Sequence, residues 1–410
     1  MKRLASLALG ILAAIGGFVD MGGIITSTQA GAQYQFALIW TLIPGVIGFA
    51  VYADMSGRVV IASGRSLFDV IRDRLGARLA LIPLIASVIM QILTLFVELA
   101  GMSLALEMAS QLSYLIWLPL AVLLLVIILW RVSFDLMDNS AAIMGLATLV
   151  AVVAMVKLAP DWGQVGGNII HPQIDTSQPV AVYLFAVIGL LGAYMTPYQF
   201  YFYSSGAIEE EWGGKDLLTN RVVAIIGTSF GAIVTLALMI ISGIVLFPQH
   251  ASVNTLEQTA QPVQSSLGVV GLVFFLLGTF AVSLGAGLEC ALSGTYSVCQ
   301  YMGWDWGKKG RPRTAPMYHL LYIVMLILAM AIAYTGVNPI GLTNIIMAIG
   351  AISLPFTFIP LLIVANDPEY VGDQKNNLGI NIIAIIMLLL LIGVTLTALP
   401  LLILSGGGGS

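Results

Sequence analysis

The chain has 410 residues, of which 59% are hydrophobic and only 9% charged, with a mean hydropathy of +1.00 and a net charge of −4. That composition excludes an ordinary soluble domain and leaves an all-α polytopic protein whose surroundings are a lipid bilayer; no nucleic-acid partner is expected.

Apolar runs of about 17 to 25 residues cross the hydrocarbon core. The sequence holds eleven, at about 4–28, 36–53, 79–108, 113–130, 141–159, 180–205, 221–247, 267–298, 316–335, 340–365 and 378–404. The 79–108 and 267–298 runs are long, which predicts tilt or a cytoplasmic extension. Short loops rich in Lys and Arg stay in the cytoplasm. With the N-terminus inside, that side collects Lys2, Arg3, Arg58, Arg65, Arg72, Arg74, Arg78, Arg131, Lys215, Arg221, Lys308, Lys309, Arg311, Arg313 and Lys375, and only Lys157 falls opposite. An inside N-terminus and an outside C-terminus follow, in a plasma (inner) membrane. Lys2-Arg3 before an apolar stretch resembles a secretory signal, but the run lacks a small-residue cleavage site and contains an Asp.

In the first span, Gly16-Gly17-Phe18-Val19-Asp20-Met21-Gly22-Gly23 reads as an interruption at mid-depth, with Gly22-Gly23 opening the ladder. An Asp there is expensive unless something positive sits beside it. The second span leads into a cytoplasmic loop, 54–69, whose alternating polarity predicts a short ordered segment. The third carries Gln91, Glu98 and Glu107, with Glu98 deep and Glu107 nearer water. The outer loop 160–179 reads as a connector.

The sixth span holds a second interruption, Gly192-Ala193-Tyr194-Met195-Thr196-Pro197-Tyr198-Gln199, because Pro197 cannot donate to the ladder. Phe200-Tyr201-Phe202-Tyr203 then fits an aromatic interface belt. Glu209, Glu210 and Glu211 read as a solvated face. The eighth span sets Glu289 among small residues, Gly285-Ala286-Gly287 and Ser293-Gly294, which permit close helix approach. It also holds Cys290 and Cys299, expected as apolar packing residues. Pro355 and Pro360 predict kinks in the tenth span. His171, His250 and His319 have no ligand spacing. Ser405 to Ser410 reads as an artificial linker.

Paired interruptions in corresponding places of two halves point to a secondary-transporter substrate site. Spans one to five (about 4–159) and six to ten (about 180–365) then form two repeats, with the eleventh (about 378–404) appended, in a single transport domain over 1–404. Glu98 and Glu289 fall in the third helix of each half. An odd number of helices per repeat inverts the halves across the membrane, the architecture of LeuT-type transporters.

Asp20-Met21-Gly22-Gly23 resembles the Asp-Pro-Gly-Asn signature of the NRAMP divalent-metal transporters, and Gln29-Ala30-Gly31-Ala32-Gln33 follows it as in that family. Ser63-Gly64-Arg65, Val97 to Gly101, Leu191 to Pro197, Ser293-Gly294-Thr295, and Leu354-Pro355-Phe356 through Leu361 fall in the family's order, so the likeness runs from residue 5 to about 400. It implies Asp20 as a metal ligand and the carbonyl of Ala193 as another. The family's Asn ligand stands at Gly23, its Met ligand at Thr196, its proton-linked His at Tyr198 and a frequent acidic residue at Leu95.

A thioether helps transition metals compete, whereas carboxylate, hydroxyl, carbonyl and water suit hard ions. The substitutions therefore look like those of the NRAMP-related magnesium transporters, a branch expected to lack proton coupling. They imply import of partly hydrated Mg2+ or Mn2+, with Asp20, Gly23, Ala193 and Thr196 at the metal. Tyr194, Tyr198, Gln199 and Ser353 shape or hydrate the cavity, and Gln33 marks the outer mouth. Glu289 takes a cation-related role or pairs for packing; Glu98 is a gate or a structural partner for the cytoplasmic Arg residues. No other cofactor is implied, and a monomer is expected from the fold. The alternatives are a proton-coupled Mn2+/Fe2+ symporter and a cation-coupled carrier of a small organic solute. An enzyme has no nucleophile-base pair or phosphate loop to support it.

Overall fold

The computed structural model describes residues 19–172, 179–310 and 312–405. Gly16, Gly17 and Phe18 of the first interruption, Arg311 and residues 406–410 of the linker lie outside them. The regular structure of the described residues is helical: α1 (Met21–Tyr34), α2 (Leu42–Ser63), α3 (Leu67–Leu75), α4 (Ala77–Ser110), α5 (Tyr114–Arg131), α6 (Phe134–Gly145), α7 (Val150–Leu158), α8 (Trp162–Ile170), α9 (Val180–Tyr194), α10 (Pro197–Glu209), α11 (Leu217–Val245), α12 (Leu256–Met302), α13 (Pro316–Ala333), α14 (Pro339–Ala365), α15 (Pro368–Val371) and α16 (Leu378–Leu404). Among the described residues, nine helical segments are long and apolar enough to cross a membrane, with α9 and α10 joined as one of them.

Four expectations change on contact with the structure. The loop at 54–69 does not exist as such, because α2 runs on to Ser63 and ends where Gly64 adopts a left-handed φ of 66°. The outer connector holds α8, which leaves the line of the preceding segment at 113°. The extension of the eighth span lies at its start: residues 256–267 form a separate helical stretch, set apart by Gly268 at φ 66° and ψ −152°. Phe200, Tyr201 and Phe202 are core rather than interface, since they pack on Phe49, Phe68, Phe134 and Phe358.

Glycines bring three helix pairs to backbone distance. A Cβ on Gly31 of α1 would lie 2.2 Å from the Met239 carbonyl of α11, and one on Gly192 of α9 would lie 1.9 Å from the Met347 carbonyl of α14. Between α4 and α12, a Cβ on Gly101 would stand 2.4 Å from Ser283 Oγ. Small residues allow such approach where hydrocarbon offers no competing drive to burial.

Most basic residues among those described gather at one end of the bundle, and that end is tied rather than merely solvated. Arg58, 5% exposed, donates to Asp54 Oδ2 at 2.7 Å, to the Gln374 carbonyl at 2.7 Å and to Asn376 Oδ1 at 2.7 Å. Asn220 of α11 donates to Asp54 Oδ1 at 3.0 Å, and Arg74 pairs with Asp367. Glu209 is not a free surface charge, because Oε1 accepts from Tyr296 Oη at 2.9 Å and from the Lys308 amide at 2.6 Å. His319 meets Tyr322 Oη and the Gly310 carbonyl, so it ties this end together. Cys290 and Cys299 are buried free thiols, as expected of packing residues.

Gly31→Ala is expected to lower stability by about 1–3 kcal/mol, because α1 and α11 must separate to admit the methyl group. Thermal unfolding in detergent checks this against Gly166→Ala in α8, where a Cβ meets nothing within 4 Å and little change is expected.

Candidate functional site

The first interruption centres on Asp20 itself. Its backbone is extended (φ −120°, ψ 172°), its side chain caps α1, and Oδ1 accepts from the Gly23 amide at 2.6 Å. Gly22 and Gly23 therefore sit inside the first helical turn and do not open the ladder. Their role is space: a Cβ on Gly22 would lie 2.7 Å from Met347 Cε, and one on either glycine would lie 3.3 Å from Asp20 Oδ1. Asp20 is 2% exposed. The amide end of α1 and its helix dipole are directed at this carboxylate.

The second interruption falls at Met195 and Thr196. Pro197 lacks an N–H and pushes the residue before it out of the helical region, and Thr196 accordingly adopts φ −78° and ψ 135° at the start of α10. α9 ends at Tyr194, with the Met195 amide bonded to the Leu191 carbonyl at 3.2 Å. The carbonyls of Gly192, Ala193 and Tyr194 are thus the last of their helix, where no further turn supplies donors. Thr196 is fully buried, and its Oγ1 has no hydrogen-bond partner among the described residues.

Tyr198 joins the two interruptions, with Oη donating to Asp20 Oδ2 at 3.4 Å. Its own carbonyl accepts from Ser293 Oγ of α12 at 2.8 Å, and Ser293 Oγ accepts from Gln91 Nε2 of α4 at 3.1 Å. Glu289, one turn before Ser293 and 7% exposed, acts electrostatically on Tyr198 and Glu98, as Asp20 does. Glu98 is not the partner of a cytoplasmic Arg. It is fully buried, and both carboxylate oxygens accept from the Met21 amide, at 3.2 and 3.3 Å, so it caps α1 from outside.

The other candidates lie around this core. Gln199 and Ser353 are 6% and 5% exposed, with Ser353 Oγ bonded back to the Gly350 carbonyl of α14. Tyr194 is turned to the flank: its ring abuts Gly45 of α2 and its hydroxyl meets Met239 Sδ at 3.4 Å. Gln33 lines a narrow cleft with Thr26, Gln29 and Asn344. Met347, which sequence reasoning passed over, touches both interruptions; a Met in an apolar span carries no signal that separates contact from filling.

Asp20, the hydroxyl of Thr196 and the carbonyls that end α9 are oxygen donors at the two breaks, which Tyr198 links. Among the described residues no three His, Cys, Asp or Glu side chains cluster as a metal centre, and no Lys, Arg or His forms an ion pair with Asp20 or Glu98. Carboxylate, hydroxyl and carbonyl oxygens are the donor types that hard cations take.

Residues 10–400 match the natural resistance-associated macrophage protein-like family, Nramp, and the chain belongs to it. Among solved structures, the manganese transporter of Eremococcus coleocola, bound to an aromatic bis-isothiourea compound, is similar at TM-score 0.75 and 20% identity, over 97% of this chain and 87% of that one. MhsT in complex with L-phenylalanine is similar at TM-score 0.65 and 15% identity, over 94% and 98%. A nucleobase-cation-symport-1 family transporter, closed on bromovinylhydantoin, gives 0.61 and 14%, over 96% and 91%. The fold is the LeuT type, with two inverted five-helix repeats, interruptions in the first and sixth helices, and an eleventh helix appended.

Glu98→Leu, which keeps bulk but offers α1 no acceptor, is expected to cost about 1.5–3 kcal/mol, whereas Glu98→Gln retains an acceptor and most of the stability. Melting temperatures of the two purified variants distinguish a cap from a residue that only fills space.

Proposed function

We propose that this Nramp-family chain imports a divalent cation, Mg2+ or Mn2+ carried with part of its hydration shell, by alternating access and without obligatory proton coupling. The observation that supports this most directly is the unpaired, fully buried hydroxyl of Thr196, set at one helix break while Asp20 caps the other and Tyr198 links them. The ligand set is Asp20, the Ala193 carbonyl and Thr196, and the missing side chain at Gly23 leaves room for coordinated water. Mg2+ dehydrates reluctantly and commonly touches only one or two carboxylates. The manganese transporter named above lends weight to Mn2+.

The absence of proton coupling rests on two substitutions. Tyr198 stands where the family carries a proton-linked His, and Leu95 where it often carries an acid. An uncoupled importer needs only the membrane potential, which gives roughly 2.3 kcal/mol per charge per 100 mV and about twice that for a divalent ion. The basic end of the bundle then faces the cytoplasm of an inner membrane, with the N-terminus inside and the C-terminus outside. The chain works as one transport unit and as a monomer. A proton-coupled Mn2+/Fe2+ symporter is the second reading, and Glu98 and Glu289 favour it, because two further carboxylates beside Asp20 can hold protons.

Proteoliposomes with an inside-negative potential test both. Uptake of Mg2+ and Mn2+ is expected without acidification of the lumen, and Asp20→Ala is expected to abolish it. Mn2+ entry with stoichiometric acidification moves the assignment to the symporter, and wild-type vesicles with no divalent flux overturn both.

A further inference from the structure

The thioether that α10 lacks at Thr196 has a counterpart on another helix. Met347 of α14 is fully buried at the crossing of the two interruptions. Its carbonyl lies against Gly192, next to the proposed ligand at Ala193; its Sδ would stand 2.8 Å from a Cβ on Gly22, and Asp20 Oδ1 would stand 3.3 Å from that same Cβ. Sulfur and carboxylate oxygen thus approach the same face of Gly22, which Met347 already fills up to van der Waals contact and where no side chain stands between them.

The other two methionines beside the breaks point elsewhere. Met21 Sδ packs on Gly101 of α4, and Met195 Sδ packs on Gly48 of α2. Met347, by contrast, presents its thioether to the face of Gly22 that Asp20 Oδ1 also approaches.

We propose that Met347 supplies the substrate site with a soft donor, so that the site favours thiophilic divalent cations over equally charged hard ones. Thioether sulfur raises affinity for later transition metals and for Cd2+ while adding little for Mg2+ or Ca2+. The inference rests on the cation reading of the Asp20 site and deepens it, shifting its choice between the two substrates towards Mn2+. Packing alone makes a different forecast: Leu fills the volume of Met at small cost, so a space-filling residue at 347 leaves selectivity where it was.

Calorimetric titration of the full-length protein in detergent with Cd2+ and with Mg2+ separates the two. In Met347→Leu the ratio of Cd2+ to Mg2+ affinity is expected to fall roughly tenfold, the scale on which single contacts at metal sites act. Cadmium X-ray absorption of the wild type is expected to show a sulfur neighbour that disappears in the variant. An unchanged affinity ratio overturns the proposal, as does an all-oxygen cadmium shell in the wild type or a sulfur contact that persists in Met347→Leu. The wild-type spectrum decides by itself if the variant does not fold. Asp20→Ala binding both ions at wild-type affinity overturns the cation reading instead.

Discussion

One carboxylate, buried with no cationic side chain paired to it among the described residues, governs this molecule. Asp20 sits in the interior of a bundle made for hydrocarbon, where an unpaired charge costs several kcal/mol even after relaxation. The fold meets part of that cost with neutral donors: the Gly23 amide at 2.6 Å, the N-terminus of α1, and the Tyr198 hydroxyl. The first two require the helix to start at residue 21. The interruption in the first span is therefore the means by which the chain keeps an anion at this depth.

Holding helix ends open inside a membrane demands that their surroundings be rigid. Freed carbonyls and amides in hydrocarbon are tolerated only where protein or a wet cavity lies against them. Backbone contact provides that support: Gly31 against Met239 fixes α1 on α11, and Gly192 against Met347 fixes α9 on α14. The Gln91, Ser293 and Tyr198 chain of hydrogen bonds then carries α4 and α12 into the same centre. At the basic end, Arg58 performs a similar service, joining α2 to the stretch between α15 and α16 through a buried guanidinium.

Much of this was legible in the sequence, for reasons that also explain the failures. Span positions followed from runs of apolar residues, which hydrocarbon requires regardless of packing. The second interruption followed from Pro197, whose missing N–H acts locally. The first was located within three residues but attributed to the wrong ones, because a glycine that opens a ladder and a glycine that admits a neighbour look identical until the neighbour is known. The pairing of Glu98 with a cytoplasmic Arg fails for the same reason: its partner is a backbone amide far away in the chain, which no side-chain pattern announces. Arg58 went to a loop because a charge usually marks a helix end, and here it is matched within a buried network. Met347 was invisible, since its importance depends on what faces it.

Charge bookkeeping at the centre shows why three acids gather where one seemed enough. A helix terminus carries roughly half an elementary charge. α1 and α10 both present positive ends here, while α9 presents a negative one. Asp20 and the end of α9 together are largely cancelled by the two amino ends, which leaves little field for a doubly charged guest. Glu98 changes the balance: by accepting from the Met21 amide it answers α1 directly and releases Asp20 from that duty. Glu289, close enough to act on Glu98 and Tyr198, adds to the same potential. On the proposed reading, Asp20 is the contact and the other two acids set the field that makes the contact attractive. On the same reading, retained water completes the coordination, because the helix ends that shape the site supply too few oxygens to strip an ion bare.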